Sequence, residues 1–551
     1  MNLFDRSQKT LTYVSAFVNI NCKDPVKTLD WRLDNFEHIA KTGVPVVLYI
    51  DQDVQEVYGE KLKKFKNVVL KDIDFSKSWT YKVCETYKNN LPAVRNMVKD
   101  SFLFLALIQM KIEFVVNAVN DNPFNTTHFA WIDFNLPHVF KEKDESTAYM
   151  KFLTTCKWNA RFMANPGCWE KGRGIENLTN YINWRFCGGF LIGDAQSFLD
   201  LFDLYLEHFP LFMQTYKQNT WEVNFWTWLE INANWAVTWY KADHDDSIVR
   251  IPSHFFSTPI GQTTIRYKLP EEPGFYPSSS SYIHVDGKHV LNVRYVNYTL
   301  LDYGRYRINH PQNYLETKNL RCYLSDDLKT VVETEFVWEG MMGLKEYDKS
   351  ISGLEDVRLY MAGNQLKYVA TNKSYHKGKK VRIMTGNYSA SMAMFETGQV
   401  LESPTDSYWE KNWIPLGIHA EKERFIYRWA PFEIGELEGD TLKIVVTKPV
   451  KGKLLQGVRG STTPVWSTKD QCFYCVVHYN EDVHGAKTLA YYHMLVKMDK
   501  DFLPFEWSHI FHFNQIGIQY CIGFTILEES NTFVFWFSEN DGNPGFCYIN
   551  A

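Results

Sequence analysis

The chain has 551 residues, a length that at about 150 residues per domain allows three or four domains. Charged residues make up 22% and hydrophobic residues 45% of it, which excludes a disordered, collagen-like or coiled-coil chain. A formal net charge of −5 gives no electrostatic basis for binding nucleic acid or an anionic membrane. The departure from the ordinary is aromatic: 18 Trp, 32 Tyr and 38 Phe are 16% of the residues, more than a core alone asks for.

Met1 to Lys9 lacks the apolar stretch of a secretory signal. Thr12 to Ile20 reads as a buried strand. Asp24 and Pro25 then offer an N-cap and a first-turn proline. Leu29, Leu33, Phe36 and Ile39 follow on one helical face, which Gly43 can end. Pro45 to Ile50 and Asn67 to Leu70 are further strands. A helical stretch runs from Pro92 to Asn117, and its apolar run, Phe102 to Met110, stops at Lys111, far short of a bilayer span. His128 to Ile132 is the next strand. This alternation predicts an α/β domain over residues 1–265, a mainly parallel sheet covered by helices.

Pro270 to Ser281 is rich in Pro, Ser and Gly and reads as a linker, placed at residues 266–284. Beyond it the helical period gives way to short alternating segments, an all-β domain over 285–551. Polar strand starts recur at Asn292–Arg294, Glu355–Arg358, Lys411–Trp413, Val458–Gly460 and Gln519–Cys521. Spacings of roughly 50 to 60 residues suit one four-stranded sheet each, hence a five-bladed β-propeller, with a pair of β-sandwiches as the alternative. Ten cysteines are too few for a disulfide scaffold, and Cys472 and Cys475 face opposite sides of a strand, so they are not read as metal ligands. A reducing, cytoplasmic setting is expected, and the sequons at Asn125, Asn177, Asn297, Asn372 and Asn387 read as chance in an Asn-rich chain.

The sharpest chemical feature is Phe129-Ala-Trp-Ile-Asp133-Phe-Asn135. Its two oxygen-bearing side chains, at i and i+2, point to one side of an extended backbone at a strand's carboxyl end. Such a pair suits Mn²⁺ or Mg²⁺, and the competing reading is an Asx-turn that merely ends the strand. Asp243-His244-Asp245-Asp246 follows a second Trp-rich strand and offers an imidazole, His244, as a further metal ligand; a solvated loop histidine is the alternative. Gly188 and Gly189 precede an apolar run and let backbone approach a ligand, or simply make a tight turn. Trp221-Glu222 sets a carboxylate among aromatic rings, where Glu222 suits a base for an acceptor hydroxyl, unless the segment is a core helix with Glu222 at its rim.

These residues, with Tyr13 to Phe17 and Lys111, resemble the HtrL/WlaTC family of bacterial glycosyltransferases over roughly residues 10–255. The resemblance implies a GT-A (Rossmann-like) fold, a nucleotide-sugar donor, a divalent metal on a DXD-like motif and a glycan or glycoprotein acceptor. It assigns Asp133, Asn135 and His244 to the metal; Ala16, Phe17, Arg95, Lys111 and Trp131 to the donor; and Gly188, Gly189 and Trp221 to the acceptor. Asn135 stands where the motif has a second acid, which implies a weaker metal site. With Glu222 as base, inversion is the simpler stereochemical outcome.

In the second half, Gly353-Leu-Glu-Asp-Val-Arg358 sets Asp356 and Arg358 on one face of a strand; a cross-strand salt bridge at a blade edge is the plain alternative. The region resembles the five-bladed propeller of β-mannoside phosphorylase-like glycosidases, whose Glu-Asp-Pro-Arg segment lies in the active site; Val357 replaces the proline here. That resemblance implies carbohydrate processing or binding, with Asp356 as acid or base. Arg294, Arg358, Lys411 and Arg459 then form a basic ring able to hold an anion or sugar. Three overall readings follow: a two-module carbohydrate enzyme, a transferase with a lectin-like propeller, and a structural glycan-binding protein.

Overall fold

The computed structural model describes residues 3–20, 26–233, 235–261, 263–309, 311, 314–419, 421–450, 455, 457–482 and 489–550. They form two compact units: residues 6–256, and residues 257–551 together with the first few of the chain. The first unit mixes helices and strands, and the second is strand-rich.

The first unit is built on β1 (Leu11–Phe17), β2 (Val46–Ile50), β3 (Val68–Asp72), β4 (His128–Ile132), β5 (Met163–Gly167), β6 (Phe190–Asp194) and β7 (Thr238–Lys241). They lie side by side as β3-β2-β1-β4-β6-β5-β7. β1 pairs in parallel with both β2 and β4, and β6 runs antiparallel to β4 and β5. β2, β4, β5 and β6 are buried along their whole length, as strands covered on both faces must be. The chain therefore lays β1, β2 and β3 outward in one direction and returns to the other side of β1 with β4. That reversal leaves a crevice at the carboxyl ends of β1 and β4, where open α/β sheets take ligands.

The helices are α1 (Leu29–Ala40), α2 (Gln52–Leu62), α3 (Trp79–Glu85), α4 (Phe102–Gln109), α5 (Lys111–Asp121), α6 (Lys143–Leu153), α7 (Ala195–Tyr216) and α8 (Glu222–Asn232). α1 is capped by Thr28, whose side chain accepts from the Trp31 N–H; the expected cap, Asp24, lies outside the described residues. The stretch expected as one helix from 92 to 117 is two, α4 and α5, bent by 43°. Residues 92–100 are turns, and Ser101 caps α4. The bend turns the first residue of α5, Lys111, into the core, where it is 3% exposed. Among the described residues no single helix is long and apolar enough to cross a membrane. Trp226, Trp235 and Trp239 belong to the hydrophobic core and Trp228 packs against it, so these rings of the aromatic surplus fill the interior.

The second unit holds five sheets of three or more strands. Their leading strands are Tyr276–Val285, Glu355–Ala362, Ile414–His419, Arg459–Gly460 with Val465–Ser467, and Gln519–Leu527. Each sheet packs against the next through these strands or their immediate neighbours, and the fifth returns to the first, closing a ring. This is a five-bladed propeller. Four of the five expected strand starts do lead a sheet, but Asn292–Arg294 lies on the second strand of the first, Lys288–Val296. The leading strand there falls inside the segment expected as a linker. Ser278 to Ser281 are all buried in it, because small side chains fit the crowded middle of the ring. The expected boundary at 265 also moves, since Thr258–Pro259 pairs with Phe511–His512 in the fourth blade. Cys472 and Cys475 are buried free thiols.

Candidate functional site

In the first unit a cavity of about 730 Å³ opens at the crevice between β1 and β4. Its lining brings together Ala16 and Phe17 from the end of β1, Trp131, Asp133 and Asn135 from the end of β4, and Lys111, Gly188, Gly189, Trp221, Glu222 and His244. Ser15 Oγ ties the two strand ends by donating to the Ile132 carbonyl at 2.8 Å. Arg95 is not among the lining residues: its Nη1 donates to the Pro92 carbonyl within its own loop, and its neighbours Asn96, Val98 and Lys99 line the cavity instead.

Lys111 forms the floor. Its ammonium donates to Glu222 Oε1 at 2.6 Å and to the Gly188 carbonyl at 2.8 Å, and pairs with Asp133 Oδ1 at 2.9 Å. Those three acceptors use its three N–H groups, so Lys111 holds the site together rather than reaching a donor diphosphate, as the family resemblance implied. Burial works to strip its proton, but Asp133 and Glu222 outweigh it and leave its pKa above the usual lysine value. Trp131 Nε1 also donates to Asp133 Oδ1, at 3.0 Å, leaving Oδ2 without a hydrogen bond among the described residues. Glycine at 188 leaves room for the Glu222 carboxylate, which a β-carbon there would force to move.

The late acidic loop divides in two. Asp246 is buried and accepts from the Lys141 and Glu142 N–H groups and from Ser146 Oγ, so it anchors the start of α6. Asp243 and His244 line the cavity. Beside them stands His138, which sequence reasoning missed: its ring packs edge-on to His244 at 5.7 Å, its Nδ1 lies 2.8 Å from the Asn135 carbonyl, and burial lowers its pKa. The signal was its place five residues after Asp133, in the short turn Leu136–Val139. Among the described residues no three His, Cys, Asp or Glu side chains gather as a ready metal cluster. A divalent ion here would take Asp133 Oδ2, Asn135 and His244 and complete its shell from ligand oxygens. Hard oxygen donors with one imidazole suit Mn²⁺ or Mg²⁺ of that kind.

In the propeller, the polar strand starts converge near the ring's middle. Arg294 Nη1 is 3.0 Å from Asp356 Oδ1, its Nη2 is 3.5 Å from Glu355 Oε1, and Lys411 Nζ is 2.9 Å from that same Glu355 oxygen. Burial acts to raise the Glu355 pKa, but Lys411 and Arg294 bring it down to about 2. Asp356 sits in the left-handed region at φ 54°, an unusual backbone state for a carboxylate residue at the head of a strand. Arg358 is consumed internally, donating to the Ser461 carbonyl, Asn412 Oδ1 and the Tyr520 hydroxyl. Arg294 and Arg358 are therefore buried brackets of the site, not free members of a basic ring.

A third carboxylate, Asp541, is not among the site residues expected from sequence; Asn540-Asp541 forms the tip of a hairpin. Both residues do have positive φ, as the turn between Thr532–Glu539 and Gly542–Asn550 requires. Tyr298 Oη donates to Asp541 Oδ2 at 3.0 Å. Burial raises the Asp541 pKa, with Arg294 opposing and Asp356 adding to it. One carboxylate held charged by cations and another held toward its neutral form is the asymmetry that acid–base chemistry uses.

No protein-family model matches the sequence, and no curated protein does. Several solved structures align with about half of the chain. An α-L-arabinofuranosidase from Lactobacillus brevis is 14% identical over 50% of this chain and 90% of its own, with a TM-score of 0.32. A GH43_1 enzyme from Xanthomonas citri is 11% identical over 52% and 91%, with a TM-score of 0.33. An α-L-arabinofuranosidase from Fusarium graminearum is 8% identical over 53% and 98%, with a TM-score of 0.29.

Proposed function

We propose that residues 6–256 are a GT-A-type glycosyltransferase that moves a sugar from a nucleotide-sugar, a UDP-sugar first among them, to a glycan or glycoprotein. The observation that carries this reading is the cavity at the reversal of strand order, with Ala16 and Phe17 on one side and Asp133 on the other. The nucleotide lies along the end of β1, and Asp133 faces the charged part of the donor. Glu222 Oε1 is engaged by Lys111, while Oε2 accepts no hydrogen bond among the described residues and is the atom that takes the acceptor's proton. Trp131, Trp169, Trp184 and Trp221 in the lining provide apolar walls for sugar faces. When bound, a divalent ion held by Asp133, Asn135 and His244 supplies Lewis-acid stabilisation of the leaving diphosphate. Lys111 keeps Asp133 and Glu222 fixed against one another throughout.

The propeller, in the same reading, processes carbohydrate at Glu355, Asp356 and Asp541. Asp541 donates a proton to the leaving oxygen, Asp356 is held in place across from it by Arg294, and Glu355 is the carboxylate that Lys411 and Arg294 keep charged. The asymmetry between Glu355 and Asp541 is what favours chemistry over a purely lectin-like role.

Thermal melting with nucleoside diphosphates and Mn²⁺ tests the first unit. UDP with the ion is expected to raise the midpoint of the wild type and not of Asp133→Ala. No shift with any nucleoside diphosphate sinks the transferase reading. For the propeller, release of sugar from mannosides and arabinosides, with and without inorganic phosphate, is the corresponding assay, and activity retained in Asp356→Ala removes the assigned role.

A further inference from the structure

A second cavity, of about 290 Å³, lies off the propeller's middle between the strand Lys422–Trp429 and the short strand Arg459–Gly460. Lys411, Arg428 and Arg459 line it, together with Tyr427 and Trp429, and among the described residues its lining contains no Asp or Glu. Lys411 is bound to Glu355, which ties this cavity to the carboxylate cluster. Arg428 is only loosely engaged, with Nη2 3.3 Å from the Tyr427 hydroxyl and Nε 4.0 Å from Glu433. Arg459 is exposed and has no ion pair among the described residues. Trp429 is 3% exposed, and its indole N–H has no acceptor among them.

Three features converge. Guanidinium forks match the paired oxygens of carboxylates, sulfates and phosphates, and Arg459, exposed and without an ion pair among the described residues, brings an uncompensated positive charge to the cavity. The edges of Trp429 and Tyr427 give the lining an apolar part suited to sugar C–H groups, of which a free inorganic ion makes no use. A buried donor without an acceptor is rare in a folded protein and calls for a partner atom. The volume, near the lower end of small-ligand pockets, suits a single saccharide unit.

We propose that this cavity is a subsite for a negatively charged saccharide unit, a sugar bearing a carboxylate, sulfate or phosphate ester. Arg459 and Arg428 hold the oxyanion, and the unpartnered Trp429 indole N–H donates to a sugar oxygen. The inference rests on the carbohydrate reading of the propeller and adds the class of glycan it takes.

The full chain is titrated calorimetrically with uronate-containing, sulfated and phosphorylated oligosaccharides, with their neutral counterparts, and with inorganic phosphate alone. A charged oligosaccharide is expected to bind at least about tenfold more tightly than its neutral counterpart, with the gain shrinking as salt rises. Arg459→Gln and Arg428→Gln are each expected to remove that gain while leaving the thermal midpoint of the protein in place. Which charged arm binds identifies the ester or the acid. Equal affinity for charged and neutral sugars overturns the subsite and leaves the carbohydrate reading standing. Phosphate alone binding as tightly as any charged sugar overturns the saccharide assignment. If no saccharide binds or reacts, the carbohydrate reading falls and the subsite with it.

Discussion

Lys111 Nζ stands 2.6 Å from Glu222 Oε1, and the two side chains are only 4% and 6% exposed. With Asp133 on the other side, one ammonium faces two carboxylates under the cavity. Removing one partner of such a group is costly, since the charges left behind stay buried. Lys111→Met is expected to lose about 3–5 kcal/mol of stability, measurable by denaturant unfolding. Lys111→Met with Glu222→Gln, which also discharges the neighbour, is expected to recover a large part of it. A loss in the double variant equal to the sum of those of Lys111→Met and Glu222→Gln alone would mean that the pair is not coupled.

Gly188 meets the same Glu222 carboxylate from the backbone side. Gly188→Ala forces that carboxylate and Lys111 to move, and overpacking of this kind costs about 1–3 kcal/mol. Transfer activity is expected to fall much further than stability, with Gly189→Ala milder, because a β-carbon at Gly189 meets only ordinary contacts with Leu136 and Asp133. A comparison of melting midpoints and turnover for the two variants checks the ranking.

Much of this was legible in the chain because strand ends announce themselves. Asp133 follows an apolar run, and Glu355, Lys411, Arg459 and Gln519 recur at an even spacing. What stayed hidden has physical causes. Ser278 to Ser281 look like a linker because nothing local tells a buried serine strand from a solvated one. Lys111 looked like a diphosphate ligand because only the bend after Gln109 turns it inward. Asp541 sits in a hairpin turn and gives no local sign of a role; its contact with Tyr298 comes from a residue 243 positions away in the chain.

Asp541 also yields a stability test with a definite sign. Its folded-state pKa lies above the ordinary aspartate value, so the folded protein binds that proton more tightly than the unfolded chain. Its contribution is therefore present at pH below the unfolded pKa and is lost as pH rises through the folded one. Above the folded-state value the carboxylate is held charged against the preference of its surroundings. Asp541→Asn is expected to raise the midpoint there while abolishing glycoside turnover, and to narrow its advantage in acid. A lower midpoint at neutral pH would show that Arg294 dominates the group.

Acid should unfold the propeller through its histidines. Burial lowers the His478 pKa well below the ordinary value, that of His493 to about 3 and that of His512 to about 4. A neighbouring imidazole adds to the effect for the first two, and Arg459 and Arg358 add to it for His478. These groups stay neutral in the folded state, while the unfolded chain takes up protons from about pH 6.5 downward. Their contribution is intact above that value and is lost as pH falls toward 4 and 3, at up to about 1.4 kcal/mol per pH unit per group. His493 isolates the effect best. It is fully buried, neither ring nitrogen has a partner among the described residues, and its ring packs at 5.8 Å from Phe511 and 4.9 Å from Phe513. His493→Phe replaces an unsatisfied polar ring with an apolar one of similar shape, a change that is nearly neutral or stabilising where the polar group had no bond to lose. Unfolding curves for wild type and His493→Phe, taken between neutral pH and about pH 5, are expected to diverge as pH falls, the variant losing less. Parallel curves would mean that His493 already has a proton-accepting partner in the folded protein.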